Sequence, residues 1–214
     1  MALDQDPVLP MGILPDWEIS RLANEGMIEP FERSLVREVE VQGPDSVLPQ
    51  PRKVISFGPS SYGYDIRLSP KDFRIFRHIP GTVIDPKNFN PQNLESVQLH
   101  SDRNGEFFII PAHSYGLGVS LERFNLPRDV TTIAIGKSTY ARCSLIANVT
   151  PFEAGWCGHP TLEFSNGSSA DVRIYANEGC LQILFLRGEN CRVSYGDRQG
   201  KYQSQGHEVV LARV

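Results

Sequence analysis

Long apolar runs are missing from this chain. No stretch approaches the ~18 consecutive apolar residues needed to span a bilayer as a helix, so no helical membrane anchor is expected. The first residues carry Asp4, Asp6, Pro7 and Pro10 where a secretory leader would have a basic start and an apolar core. Cysteine is scarce. Cys143, Cys157, Cys180 and Cys191 form no C-x-x-C pair and no tight cluster with histidine. Reduced, mostly buried thiols in a cytoplasmic protein are the simplest reading. A basic excess is also absent: Lys+Arg 21 stand against Asp+Glu 25, a net charge of -4. That argues against a nucleic-acid-binding surface. It leaves room for one small anionic ligand, because a few local cations outweigh the mean field.

Several catalytic signatures are missing too. The H-x-E…P-C-x-x-C zinc pattern does not occur: His207 is followed directly by Glu208, and no cysteine follows a proline. His78, His100, His113, His159 and His207 are scattered, so no protein-ligated metal is expected. No G-x-S-x-G elbow is present. Gly136-Lys137-Ser138-Thr139 matches the end of a P-loop, but the required earlier glycine is replaced by Thr131 inside a β-like run.

What is present reads as one globular domain with extensions, since 214 residues with 40% hydrophobic content can bury a full core. Residues 1–14 read as a tail. Pro15-Asp16 opens a helix, with Asp16 as a possible cap and Ile19, Leu22 and Ala23 on one face; Gly26 ends it. A second short helix is expected over about residues 30–37, and residues 41–52, rich in proline, read as a surface loop. From Val54 the texture is β. Short apolar runs recur at 54–57, 65–68, 73–76, 107–110, 115–121, 131–135, 145–149, 161–164, 172–175 and 182–186. Turn residues punctuate them at the spacing of an all-β sandwich or barrel. Residues 138–142 lie between two runs and read as a single helical turn or tight loop. The main domain thus spans 15–193. The polar, glycine-punctuated stretch 194–214 reads either as a frayed end or as a lid, with Tyr195 for stacking and Lys201 for charge.

Two segments carry the chemistry. Lys137, Ser138, Thr139 and Arg142 put two cations and two hydroxyls within six residues, a set suited to a polyphosphate. For Lys137 alone a solvated surface charge is the simpler reading; Arg142 one turn later, with the small Ala141 between, tilts toward an anion site. Glu163 lies in Thr161-Leu162-Glu163-Phe164. Strand alternation points it away from Leu162 and Phe164. A solvent-facing glutamate is the bland reading; a general acid/base tuned by partial burial is the functional one.

At these residues the chain resembles the dCTP deaminases of the trimeric dUTPase superfamily. The matching pieces, in order, are Ile55-Ser56-Phe57-Gly58, Ser60-Ser61-Tyr62-Gly63-Tyr64-Asp65, Gly136-Lys137-Ser138-Thr139-Tyr140-Ala141-Arg142-Cys143 and Asn148-Val149-Thr150-Pro151. They continue as Gly158-His159-Pro160-Thr161-Leu162-Glu163-Phe164-Ser165-Asn166, Tyr175-Ala176-Asn177-Glu178-Gly179 and Gly200-Lys201-Tyr202-Gln203. The resemblance implies a mainly β, distorted β-barrel or jelly-roll subunit with short N-terminal helices, in a homotrimer with active sites between subunits. It implies hydrolysis of dCTP to dUTP and ammonia, with Mg²⁺ carried on the triphosphate and dTTP as a feedback inhibitor. Glu163 would be the proton shuttle, with Ser138 and Arg142 near the reacting base and its water. Lys137, Thr139, Tyr140, Ala141 and Gln182 would bind nucleotide, and Thr150, Thr161 and Leu162 would also belong to the substrate site. Tyr195, Lys201 and Gln205 match the closing segment.

One departure bears on the products. Family members often have an aspartate between the Val-Thr motif and the Gly-aromatic pair. Here Thr150-Pro151-Phe152-Glu153-Ala154-Gly155-Trp156 has none, and Glu153 is the nearby acid. Deamination alone is therefore expected. A bifunctional enzyme releasing dUMP and pyrophosphate, and a non-catalytic protein binding dCTP or dTTP, are the rival readings.

Overall fold

The computed structural model of the chain describes residues 10–42, 48–148 and 150–214. Its elements, in chain order, begin with β1 (Gly12–Ile13), α1 (Asp16–Asn24), β2 (Ile28–Glu29), β3 (Val36–Val41), β4 (Gln50–Ser60), β5 (Gly63–Phe76), β6 (Leu94–Ser96), β7 (His100–Asp102), β8 (Gly105–Ile110) and β9 (Tyr115–Ser120). There follow β10 (Arg123–Asn125), β11 (Val130–Gly136), α2 (Ser138–Ala141), β12 (Leu145–Ala147), β13 (Thr150–Phe152), β14 (Cys157–Gly158), β15 (Thr161–Asn166), β16 (Val172–Tyr175) and β17 (Gly179–Arg187).

The main sheet runs β12-β15-β9-β5-β17-β11-β13. It curls because β5 changes partners along its length, with β4 and β17 on its first half and β6 and β9 on its second. Its pairing with β9 carries a register shift between Leu68 and Phe73. Such irregularities bend a strand and sharpen its twist. The result is a mainly β, half-barrel fold, as the strand pattern implies. Smaller sheets, β14-β10-β2 and β16-β8-β7, close its flanks. The concave side holds Tyr64, Ile66, Leu68, Phe73, Phe108, Phe164, Ile183 and Phe185, all nearly fully buried. Burying each such side chain contributes roughly 2 kcal/mol. Gly116 permits a close contact there: a Cβ would lie 2.7 Å from the Phe73 ring.

Eight of the ten apolar runs read from the sequence lie within strands, the runs 115–121 and 145–149 start in β9 and β12 and outlast them, Val149 lies outside the described residues, and residues 138–141 form the helical turn. Helix α1 buries Ile19, Leu22 and Ala23 as expected. Asp16 is not its cap; Pro15 holds that position and Asp16 accepts from the Trp17 N–H. Other expectations are overturned. The segment 30–37 is not helical: it runs into β3, whose Val-x-x-Val-x-Val pattern pairs with β4. The stretch expected as a loop is the arm of this hairpin, with Val41 opposite Gln50; residues 43–47 lie outside the described set. Proline is tolerated there because β3 and β4 project as an edge. Of the expected N-terminal tail, residues 1–9 lie outside the described set, while Gly12 and Ile13 pair with β17 and Leu14 is fully buried. Among the described residues, no helix is long and apolar enough to cross a membrane.

Candidate active site

Strand β15 alternates as its sequence requires. Leu162, Phe164 and Asn166 are buried on the core side, and Thr161, Glu163 and Ser165 face outward, half-buried. Glu163 stands opposite Leu117 of β9. On its other flank the ladder with β12 ends at Ala147 and Phe164, and Asn148 lies beside Glu163. The Asn148 N–H donates to the Glu163 carbonyl at 3.0 Å, and Asn148 Nδ2 donates to Glu163 Oε2 at 2.7 Å.

Glu163 opens into a cleft of about 330 Å³. That is room for a nucleoside-sized ligand. One wall is apolar: Phe76, Phe89, Leu94, Tyr115 and Leu117. The other carries Thr150, Pro151, Glu153, Trp156 and Thr161. Two rings meet Phe76 edge-on, Phe89 at 6.2 Å and Tyr115 at 5.6 Å between centroids. Burial, then the Glu163 charge, pushes the Tyr115 hydroxyl above its ordinary value, so it stays a protonated donor.

The C-terminal stretch forms the rim. Tyr195, Tyr202, Gln205, Val210 and Ala212 line the cleft. It is docked by specific bonds: Trp156 Nε1 donates to the Tyr202 carbonyl at 2.7 Å, and the Tyr202 N–H donates to the Tyr195 hydroxyl at 3.0 Å. Gln205 bridges to β15. Its carbonyl accepts from the His159 N–H at 3.1 Å, and its Oε1 accepts from the Thr161 N–H at 3.2 Å. Farther on, the Val210 N–H donates to Thr161 Oγ1 and the Val209 N–H to Asp72 Oδ2. The stretch is a packed strap over the cleft, not a frayed end. Of its sequence-assigned residues, Tyr195 and Gln205 reach the cleft. Lys201 instead donates to the Arg213 carbonyl at 2.7 Å.

The cationic turn stands apart from this cleft. Ser138, Thr139, Ala141 and Arg142 are exposed, and none lines the cleft of Glu163. Thr139 borders a different hollow, beside Ser56 and Tyr175. Lys137 turns inward. Its ammonium bonds Asp65 Oδ2 and lies 3.3 Å from Ser56 Oγ. Burial raises the Asp65 carboxyl above its ordinary value despite this cation. Gln182 is the cross-strand neighbour of Asp65 and donates to Ser60 Oγ at 3.0 Å. Tyr140 is a core residue whose hydroxyl accepts from the Tyr175 N–H at 2.9 Å. It and the buried Leu162 can offer a ligand their backbone only.

Some residues near the site carried no sequence signal of their role. Asn148 was visible only as part of a motif, because its place beside Glu163 depends on strand register. His159 and His207 stack with centroids 4.2 Å apart and planes 7° from parallel, joining the strap to the turn before β15. Nothing in their spacing along the chain foretells it.

The comparisons with known proteins agree with this architecture. The family model described as dCTP deaminase-like matches residues 13–188. The chain is 48% identical over 206 residues to a dCTP deaminase of Acidovorax sp. (strain JS42), covering 95% of this chain and 100% of that one. It is 49% identical over 206 residues, with the same coverage, to a dCTP deaminase of Dechloromonas aromatica (strain RCB). Among solved structures, a 2'-deoxycytidine 5'-triphosphate deaminase from Agrobacterium tumefaciens superposes with a TM-score of 0.52 at 19% identity, over 83% of this chain and 48% of that one, which supports the fold. With a match of this extent, the chain belongs to the dCTP deaminase-like family.

Proposed function

We propose that this protein hydrolyses dCTP to dUTP and ammonia, with Glu163 as the proton shuttle. The observation that carries the reading is the position of Glu163: a half-buried carboxylate at the wall of a cleft, with one oxygen held by Asn148, on a chain of this family. Water attacks C4 of the cytosine ring. The attacking water's proton passes through the carboxylate to N3, and a further proton goes to the departing amine as the C4–N bond breaks. One carboxylate can serve each transfer in turn. The apolar wall and the strap exclude bulk water, so positioning contributes more of the rate. Thr150 and adjacent backbone face the base edge in this reading.

The cationic turn needs a second copy of the chain. Ser138 and Arg142 are exposed and far enough from the cleft that they do not line it, while Ile133 on β11 and Ile146 on β12 flank the turn as exposed apolar side chains. Burying those side chains against a neighbour would bring its cleft to the turn, so we assign a homotrimer with sites between subunits. There Ser138 and Arg142 hold the attacking oxygen, and the turn with Gln182 binds the triphosphate. Mg²⁺ belongs to the triphosphate in this reading. Among the described residues, no group of three or more His, Cys, Asp or Glu is arranged to hold a metal ion, and no step above is routed through one. The same site would take dTTP as an inhibitor, and the enzyme would work in the cytoplasm without a nucleic-acid or membrane partner.

The test is Glu163→Gln. Ammonia release should vanish while dCTP binding stays measurable by calorimetry; near-normal turnover would remove Glu163 from the mechanism. One observation favours a second reading: Glu153 lines the same cleft as Glu163. If Glu153 directs water at the α-phosphate, chromatography of the products will show pyrophosphate rising in step with ammonia. The primary reading expects dUTP to accumulate.

A further inference from the structure

We propose that Asn148 is the positioning residue for Glu163, holding one carboxylate oxygen so that the other alone exchanges protons with the substrate. The inference rests on the assignment of Glu163 as the shuttle. Its own basis is a two-point attachment between neighbouring strand ends. The main-chain bond from the Asn148 N–H to the Glu163 carbonyl, 3.0 Å, fixes the register. The side-chain bond from Nδ2 to Oε2, 2.7 Å, then fixes the carboxylate rotamer. Residues opposite each other in an antiparallel ladder have neighbouring Cβ atoms, so short side chains meet without strain.

The consequence is an asymmetric carboxylate. Oε2 is occupied by an amide donor that can neither take nor give up a proton at working pH. Among the described residues, Oε1 receives no hydrogen bond, and it is left for the cleft. A shuttle that moves protons in sequence gains from this. An unheld carboxylate samples rotamers in which neither oxygen faces N3 or the amine, and a displacement of about 1 Å can cost on the order of 100-fold in rate. Other titratable groups facing Glu163 across the cleft are Tyr115, Glu153, Tyr195 and Tyr202. None is held to Glu163 as Asn148 is.

The experiment compares Glu163→Gln, Asn148→Ala, Asn148→Asp and Asn148→His in the full chain, following kcat and KM for dCTP. Asn148→Ala should lower kcat about 10- to 100-fold with KM within about threefold. Asn148→Asp keeps the shape, removes the donor and adds a like charge, so its loss should be greater. It carries the test if the alanine variant fails to fold. Asn148→His, which restores an N–H donor, should recover part of the rate. The inference is overturned if KM rises while kcat stays, for Asn148 would then bind substrate, or if kcat falls in the alanine variant and the histidine variant recovers none of it. Active Glu163→Gln sinks the parent assignment instead; inactive Glu163→Gln with a normal Asn148→Ala sinks this one alone.

Discussion

Replacing Gly158 by alanine should loosen the strap without touching a residue assigned to the chemistry. Gly158 has φ +134°, and an added Cβ would lie 2.6 Å from the Gln205 nitrogen and 2.9 Å from its carbonyl oxygen. Both obstacles are backbone, so neither can swing away. A non-glycine residue at positive φ costs about 1 kcal/mol. Retreat of Gln205 would also forfeit the bonds from the His159 N–H to its carbonyl and from the Thr161 N–H to its Oε1, each worth about 1 kcal/mol. The docked strap should therefore lose about 3 kcal/mol, or roughly 100-fold in its docked-to-open ratio. If dCTP binds the docked form, its apparent KM should rise between about 10- and 100-fold. Ammonia-coupled kinetics measures the KM, and tryptic cleavage at Arg198 and Lys201 reports the opening. Gly206 supplies the control, since a Cβ there meets nothing within 4 Å. Gly206→Ala should behave as the parent protein. Gly158→Ala with KM within about twofold and unchanged cleavage would refute the reasoning.

Lys137→Met should cost stability before it costs affinity. It strands the Asp65 carboxylate, which is 8% exposed, and breaking a buried pair typically costs about 3–5 kcal/mol. Lys137→Met with Asp65→Asn should recover much of that in thermal melts; equal losses in the single and double variants would show that the pair contributes nothing. The histidine stack should make the strap pH-sensitive. Burial holds His159 and His207 below the ordinary imidazole value of 6.5, and for His207 the charges of His159 and Lys71 add to it. The docked form thus binds fewer protons than the open one. Docking should be full above about pH 6.5 and weaken as pH falls through the lowered values. Lys71, Asp72, Arg74 and Glu208 surround His207, and Arg123 also disfavours the charged form of His159. Tryptic cleavage of the strap should rise from pH 7.5 to 5.5, and His207→Phe, which keeps a ring without a proton, should flatten the response. A parent protein equally protected across that window would refute it.

How far the sequence discloses this site depends on whether each feature is local. Strand β15 is legible because Leu162, Phe164 and Asn166 alternate with Thr161 and Glu163, so the outward face of Glu163 follows from periodicity alone. The short turn at 138–141 is legible because it interrupts two apolar runs. The β3–β4 hairpin is misread because Pro49 and Pro51 outweigh the alternation of Val39 and Val41, and only pairing with β4 settles the competition. Lys137 is half legible. Its charge beside two hydroxyls reads as an anion site, but Asp65, 72 residues earlier, claims the ammonium once β5 and β17 pair. Asn148 is the same case in reverse. Alone it is an exposed polar residue at a strand end; across the ladder from Glu163 it holds a carboxylate oxygen. Register is set by the hydrophobic faces of β12, β15 and β9 together, so a one-residue slip would leave the motif intact in the sequence and the Glu163 carboxylate unheld in the fold.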